Sequence, residues 1–156
     1  AILAPILAAM GCRVIYTART PKAVPYEYCD LNGLLAEADI VSLHVPQVAG
    51  TVRMIDAAAL GRMKPGAILV NTARGGLVDE VALGAALRSG QLGAAGLDVF
   101  DTEPTPADNP LFTLDNVVVA PHVAWVTGGT FARSFEVAAE NIRRLGAGEA
   151  LLNRVV

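Results

Sequence analysis

Ala67-Ile68-Leu69-Val70-Asn71-Thr72-Ala73-Arg74-Gly75-Gly76 is the stretch on which the fold of this chain turns. A short apolar run leaves the Lys64-Pro65-Gly66 turn and ends in a polar segment closed by two glycines. Such a run, bounded by turn residues, reads as a strand buried on both faces, as in parallel sheets. Val78-Asp79-Glu80 then opens an amphipathic helix with Ala82, Leu83, Ala86 and Leu87 inward and Gly90 closing it. Gly93 to Val99 follows as the next strand.

The same rhythm extends in both directions. Residues 1–10 read as the tail of a buried helix ended by Gly11, and Arg13 to Thr17 as a β-rich run before the turn Ala18 to Lys22. Leu31 to Ala38 has helical spacing, and Ile40 to Leu43 is a short strand ending at His44-Val45-Pro46. Asp56 caps a short helix through Met63. Val117 to Ala120 is the last strand, and a long helix runs from about Thr130 to Leu145 with Phe131, Phe135, Ala138, Ile142 and Leu145 along one side. Strands alternating with helices predict an α/β fold, a doubly wound parallel sheet. With no internal repeat or low-complexity linker, residues 1–156 form one domain in this reading.

Composition fits. The 156 residues are 53% hydrophobic but only 5% aromatic, the Ala-, Val- and Leu-rich make-up of a sheet covered by helices. A net charge of -3 and the absence of a basic stripe argue against a nucleic-acid partner. Cys12 and Cys29 have no metal-ligand spacing, so no metal is expected, and they read as reduced thiols of a cytoplasmic protein. The apolar start, Ala1 to Gly11, lacks a basic n-region and is too short to span a membrane, so no membrane partner is expected.

Polar clusters fall where strands end, the edge at which parallel sheets bind ligands. Arg74 follows one strand, Glu103 (in Asp101-Thr102-Glu103-Pro104) another, and His122 (in Pro121-His122) a third. An Arg grips a carboxylate with two parallel hydrogen bonds, a His carries a proton, and a Glu beside a His favours its charged form. Hydride delivery to a ketone carbon builds negative charge on oxygen, so a cation and a proton donor suit the reduction of a 2-oxo acid. Singly, each residue has a plainer reading: a surface ion pair for Arg74, an ordinary turn for Glu103-Pro104, a satisfied buried histidine for His122.

Taken together, the stretches His44-Val45-Pro46, Met63 to Ala67, Asn71 to Asp79, Ala95-Gly96-Leu97-Asp98-Val99, Glu103-Pro104 and Pro121-His122-Val123-Ala124 resemble the NAD(P)-binding domain of the D-isomer-specific 2-hydroxyacid dehydrogenases, Rossmann-like domains. The resemblance covers essentially the whole chain. It implies that Arg74 binds the substrate carboxylate and carbonyl, that His122 exchanges a proton with the substrate oxygen, and that Glu103 pairs with His122. It further implies cofactor contacts from His44, Val45, Pro46, Thr72, Ala73, Arg74, Asp98, His122 and Ala124. Trp125 either borders the nicotinamide and substrate or is a core or interface aromatic. The implied substrate is a small 2-oxo or 2-hydroxy acid of the glyoxylate/hydroxypyruvate type. The intact enzyme is expected to be a homodimer, with residues around 77–90 and 125–130 as candidate surfaces.

Cofactor choice is legible after the second strand of such a domain, where an acid suits the ribose 2′-hydroxyl and an Arg suits a 2′-phosphate. Thr17-Ala18-Arg19-Thr20 contains no acid, so NADP is expected over NAD, with Arg19 and Thr20 on the phosphate. The chain departs from the family pattern at its start. The glycine-rich turn, its strand and the substrate domain are absent, and Ala1 to Met10 matches the helix after that turn. Residues 1–156 are therefore read as an N-terminally truncated, partial domain, inactive alone. A dinucleotide-sensing interaction module of the corepressor type shares these motifs and is the competing reading.

Overall fold

The computed structural model describes residues 2–154. Its chain divides into two compact units, one up to Pro121 and one from His122. In the first unit the helices are α1 (Leu3–Ala9), α2 (Leu31–Glu37), α3 (Ala57–Arg62) and α4 (Glu80–Arg88). The strands are β1 (Ile15–Tyr16), β2 (Glu27–Tyr28), β3 (Ile40–Leu43), β4 (Ala67–Asn71), β5 (Leu92–Leu97) and β6 (Val117–Val119). The second unit is built on α5 (Gly128–Ala147).

β3, β4, β5 and β6 lie side by side in that order, all parallel, with Ile40 opposite Ile68, Val70 opposite Gly96 and Gly96 opposite Val118. Parallel pairing forces each connection to cross over, and α3 and α4 supply two of the crossovers. Leu69, the centre of the opening stretch, is fully buried among Leu35, Leu60, Leu83, Leu92 and Leu111. Leu83 and Leu87 of α4 face this core as the periodicity requires, with Ala82 and Ala86 partly buried beside them. The expected doubly wound parallel architecture is therefore present, as a four-stranded sheet flanked by helices.

Three helices begin on an aspartate whose carboxylate accepts a backbone N–H in the first turn: Asp30 from Gly33, Asp56 from Ala59 and Asp79 from Ala82. Each satisfies a donor the helix cannot pair internally. Gly90, at φ 77, closes α4 in the left-handed region open to glycine.

Two local expectations differ. The run 13–17 is a strand only at Ile15–Tyr16, and it pairs with β2, a two-residue strand in a Tyr- and Pro-rich segment without a recognisable period. α1 ends before Gly11 as expected, at φ 87, but none of its residues is buried. The β1–β2 sheet has only two residues per strand, little surface with which to cover a helix that is apolar all round. No helix among the described residues is long and apolar enough to cross a membrane. Both cysteines are free, and burial pushes the Cys29 thiol above its ordinary value.

In the second unit, α5 carries Phe131, Phe135, Ile142 and Leu145 on an exposed stripe. Its far end is braced by Glu140, which accepts hydrogen bonds from Arg143 and Arg144, and by Glu149, which accepts from Arg143.

Candidate active site

Because β3 to β6 are parallel, the segments after their carboxyl ends share one edge of the sheet. Two of these segments line an open cavity of about 490 Å³ formed by His44, Val45, Pro46, Gln47, Thr72, Ala73 and Arg74. Six of the residues expected from the sequence thus meet in one place.

Asn71, a polar residue only 1% exposed, ends β4 just before the lining residues Thr72 to Arg74. Its Nδ2 donates to the Arg74 carbonyl (2.9 Å) and its Oδ1 accepts from the Ala73 amide (3.1 Å). A buried amide satisfied on both sides fixes the 71–74 turn and so aims Arg74, whose side chain is exposed. Arg74 Nη1 donates to the Ala73 carbonyl (2.6 Å), which engages one of the five guanidinium donors. Gly75 then passes so close to the Phe100 backbone that a Cβ would overlap the Phe100 carbonyl.

On the opposite wall, the His44 ring Nε2 is 2.9 Å from Ser42 Oγ. The loop beyond it is tied by Thr51, whose hydroxyl donates to the Pro46 carbonyl (2.7 Å) and accepts from the Val48 amide (2.9 Å). Arg53 N donates to the Gly76 carbonyl and Ile55 N to the Leu77 carbonyl, joining the two walls. Gln47 lies against Gly76, where a Cβ would stand 2.5 Å from its amide nitrogen.

Asp98 is 4% exposed just past β5, with its amide donating to the Asn71 carbonyl. Glu103 lies further along the same segment, before a cis Glu103-Pro104 bond, and its Oε1 accepts from the Phe100 amide (2.9 Å). Arg19 and Thr20 occupy the turn after β1. Thr20 Oγ1 accepts from Lys22 Nζ (3.4 Å), and the Lys22 backbone both donates to and accepts from the Tyr16 hydroxyl. That places a second cation, Lys22, in the turn chosen from sequence. His122 and Ala124 open the second unit. His122 has φ 55, a left-handed conformation unfavourable for a side-chain-bearing residue, and the Trp125 indole N–H donates to its carbonyl (3.0 Å). Trp125 also packs edge-on against Phe131 at 5.2 Å.

Asn71, Gln47 and Lys22 were not anticipated as contributors. A buried polar residue ending an apolar strand is the one signal that marks Asn71 in the sequence. Among the described residues no group of His, Cys, Asp and Glu could hold a metal.

A parallel sheet with an open polar cavity at its carboxyl edge, walled by backbone turns and one arginine, has the form of a dinucleotide-binding domain. The chain belongs to the D-isomer specific 2-hydroxyacid dehydrogenases, whose NAD binding domain matches residues 1–124. It is 49% identical over 134 residues to the glyoxylate reductase of Korarchaeum cryptofilum, covering 86% of this chain and 40% of that protein. It is 46% identical over 155 residues to the D-3-phosphoglycerate dehydrogenase of Mycobacterium leprae, covering 95% of this chain and 29% of that protein. The solved TT0316 protein of Thermus thermophilus superposes with a TM-score of 0.95 at 49% identity, over 99% of this chain and 49% of that one. The chain thus spans half or less of the length of these relatives.

Proposed function

We propose that this domain serves an NADP-dependent reductase of small 2-oxo acids of the glyoxylate/hydroxypyruvate type. The carrying observation is the cavity that holds Arg74 beside His44, Val45, Pro46, Thr72 and Ala73. Its walls suit a dinucleotide: backbone turns and small side chains permit close approach, and Asn71 fixes their shape. When bound, the dinucleotide supplies the hydride. Arg74 uses its remaining donors to hold the substrate carboxylate and draw charge toward the carbonyl oxygen. His122 delivers the proton to that oxygen, and Glu103 pairs with His122. Thr72, Ala73, Asp98 and Ala124 bind the nicotinamide side, and His44, Val45 and Pro46 form the wall along the cofactor.

Arg19, Thr20 and Lys22 receive the 2′-phosphate, and no acidic residue stands in that turn to prefer a free hydroxyl. The glyoxylate reductase relative favours the substrate class, and a homodimer in the cytoplasm completes the proposal. α4 turns its apolar side to the core and leaves only Val81 strongly exposed, so Trp125 and Val126 are the stronger dimer candidates.

The test is NADPH oxidation by the protein expressed from its complete reading frame, with glyoxylate, hydroxypyruvate and 3-phosphohydroxypyruvate. Turnover with the first two supports the reading, whereas turnover with the phosphorylated acid alone overturns the substrate class. Arg74→Lys should raise the KM for the 2-oxo acid at least about tenfold with the KM for NADPH unchanged, because an ammonium cannot make the two-point grip. The 156 residues alone should give no measurable turnover, and steady NADPH oxidation by them would contradict that.

A further inference from the structure

The segment that carries Glu103 is fastened to the segment that carries Arg74 by Glu80, the first residue of α4. Glu80 Oε1 accepts from the Asp101 amide at 2.5 Å, and its Oε2 accepts from Asn109 Nδ2 at 3.2 Å. These contacts bracket Glu103, one before it and one after. Glu80 itself is placed by the Asp79 cap on Ala82 and by the Asp79 amide, which donates to the Ile55 carbonyl. The short 3-10 turn Gly75–Leu77 separates it from Arg74.

A steric fastener lies at the same junction. Gly75 abuts the Phe100 backbone, and the Phe100 amide is the donor that orients the Glu103 carboxylate. Arg53 offers only a weak alternative. Its guanidinium is 3.9 Å from both Asp79 and Asp101 and largely exposed, a setting in which ion pairs contribute little. A carboxylate accepting a backbone amide is a stronger and more directional tie.

We infer that Glu80 is a positioning residue that keeps the Glu103 segment in register with the Arg74 segment. The inference rests on the reading above, in which Arg74 and Glu103 serve one reaction.

Reversing the polarity of the Glu80–Asn109 contact tests it. In Glu80→Gln the substituted amide faces the Asn109 amide donor to donor. Asn109 cannot flip without losing the bond that its Oδ1 accepts from Leu111 N at 2.9 Å. The double variant Glu80→Gln/Asn109→Asp restores a donor facing an acceptor and leaves an oxygen for Leu111. In the protein from the complete reading frame, Glu80→Gln should lower kcat on the order of tenfold, as small displacements of reacting groups do. The KM for NADPH should stay constant, amide exchange at Phe100 and Asp101 should quicken, and the double variant should recover both kcat and protection. Parental kcat in Glu80→Gln, or a folded double variant that fails to recover, overturns the positioning role alone. A parent that reduces no 2-oxo acid overturns the dehydrogenase reading and this role with it.

Discussion

Gly75 and Gly76 are adjacent and both buried, yet they answer to different constraints. A Cβ at Gly75 meets backbone, the Phe100 carbonyl and the Asp101 amide, which cannot move without shifting the Glu103 segment. The nearest atoms a Cβ at Gly76 meets belong to the end of the exposed Gln47 side chain, which can swing away. Gly75→Ala should therefore cost about 3 kcal/mol or more, the upper range of overpacking, and Gly76→Ala less than about 1 kcal/mol. Urea midpoints of the two variants check this, and equal losses would show that rigid backbone is not what separates them. Arg19 supplies a sharper functional test. Among the described residues it makes no hydrogen bond or ion pair, so removing it should leave the fold intact. Arg19→Ala should raise the KM for NADPH at least about tenfold and leave that for NADH unchanged, the mark of a charge-assisted phosphate contact. A parallel rise for both cofactors would remove Arg19 from the phosphate site.

At the level of elements, the starts at Asp56 and Asp79 were legible because a cap is local: the acceptor and its N–H lie three residues apart. Asp56→Ala should cost about 1 kcal/mol, seen as a lower denaturation midpoint. β4 and the Arg74 turn were legible for the same reason, since an apolar run and a glycine-ended turn need no partner to be recognised. β2 was not, because two exposed residues in a strand carry no period and owe their pairing to β1. Nor were the roles of Glu80 and Asn71, whose value depends on which segments the fold brings together. In α5, Arg143 and Arg144 hold the Glu140 carboxyl well below its ordinary value, down to about 2. A depressed carboxyl stabilises the native state above its unfolded value, and that contribution is lost as pH falls from about 4.5 toward about 2. Helicity of the second unit should therefore decline across that window, and Glu140→Gln should flatten the decline. A variant that keeps the parental acid profile would assign the effect elsewhere.

For the molecule as a whole, the consequential feature is that the strands form two sheets rather than one. Among the described residues β1 bonds only to β2, and β3 only to β4, so each presents an unpaired edge of amides and carbonyls. The β3 edge carries Ile40, 60% exposed, and no charge within Ile40–Leu43 to repel another strand. Soluble proteins usually protect such an edge with a charged residue, a proline or a covering segment. The isolated 156-residue chain should therefore self-associate as its concentration rises, by pairing along β3. Ile40→Lys should suppress this, because an ammonium beside the open ladder makes strand addition costly, while a half-exposed edge position should change stability by only about 0.5 kcal/mol. Light scattering coupled to size exclusion across a concentration series distinguishes the cases. Association that persists unchanged in Ile40→Lys but vanishes in Phe135→Lys would move the contact from the sheet edge to the exposed stripe of α5.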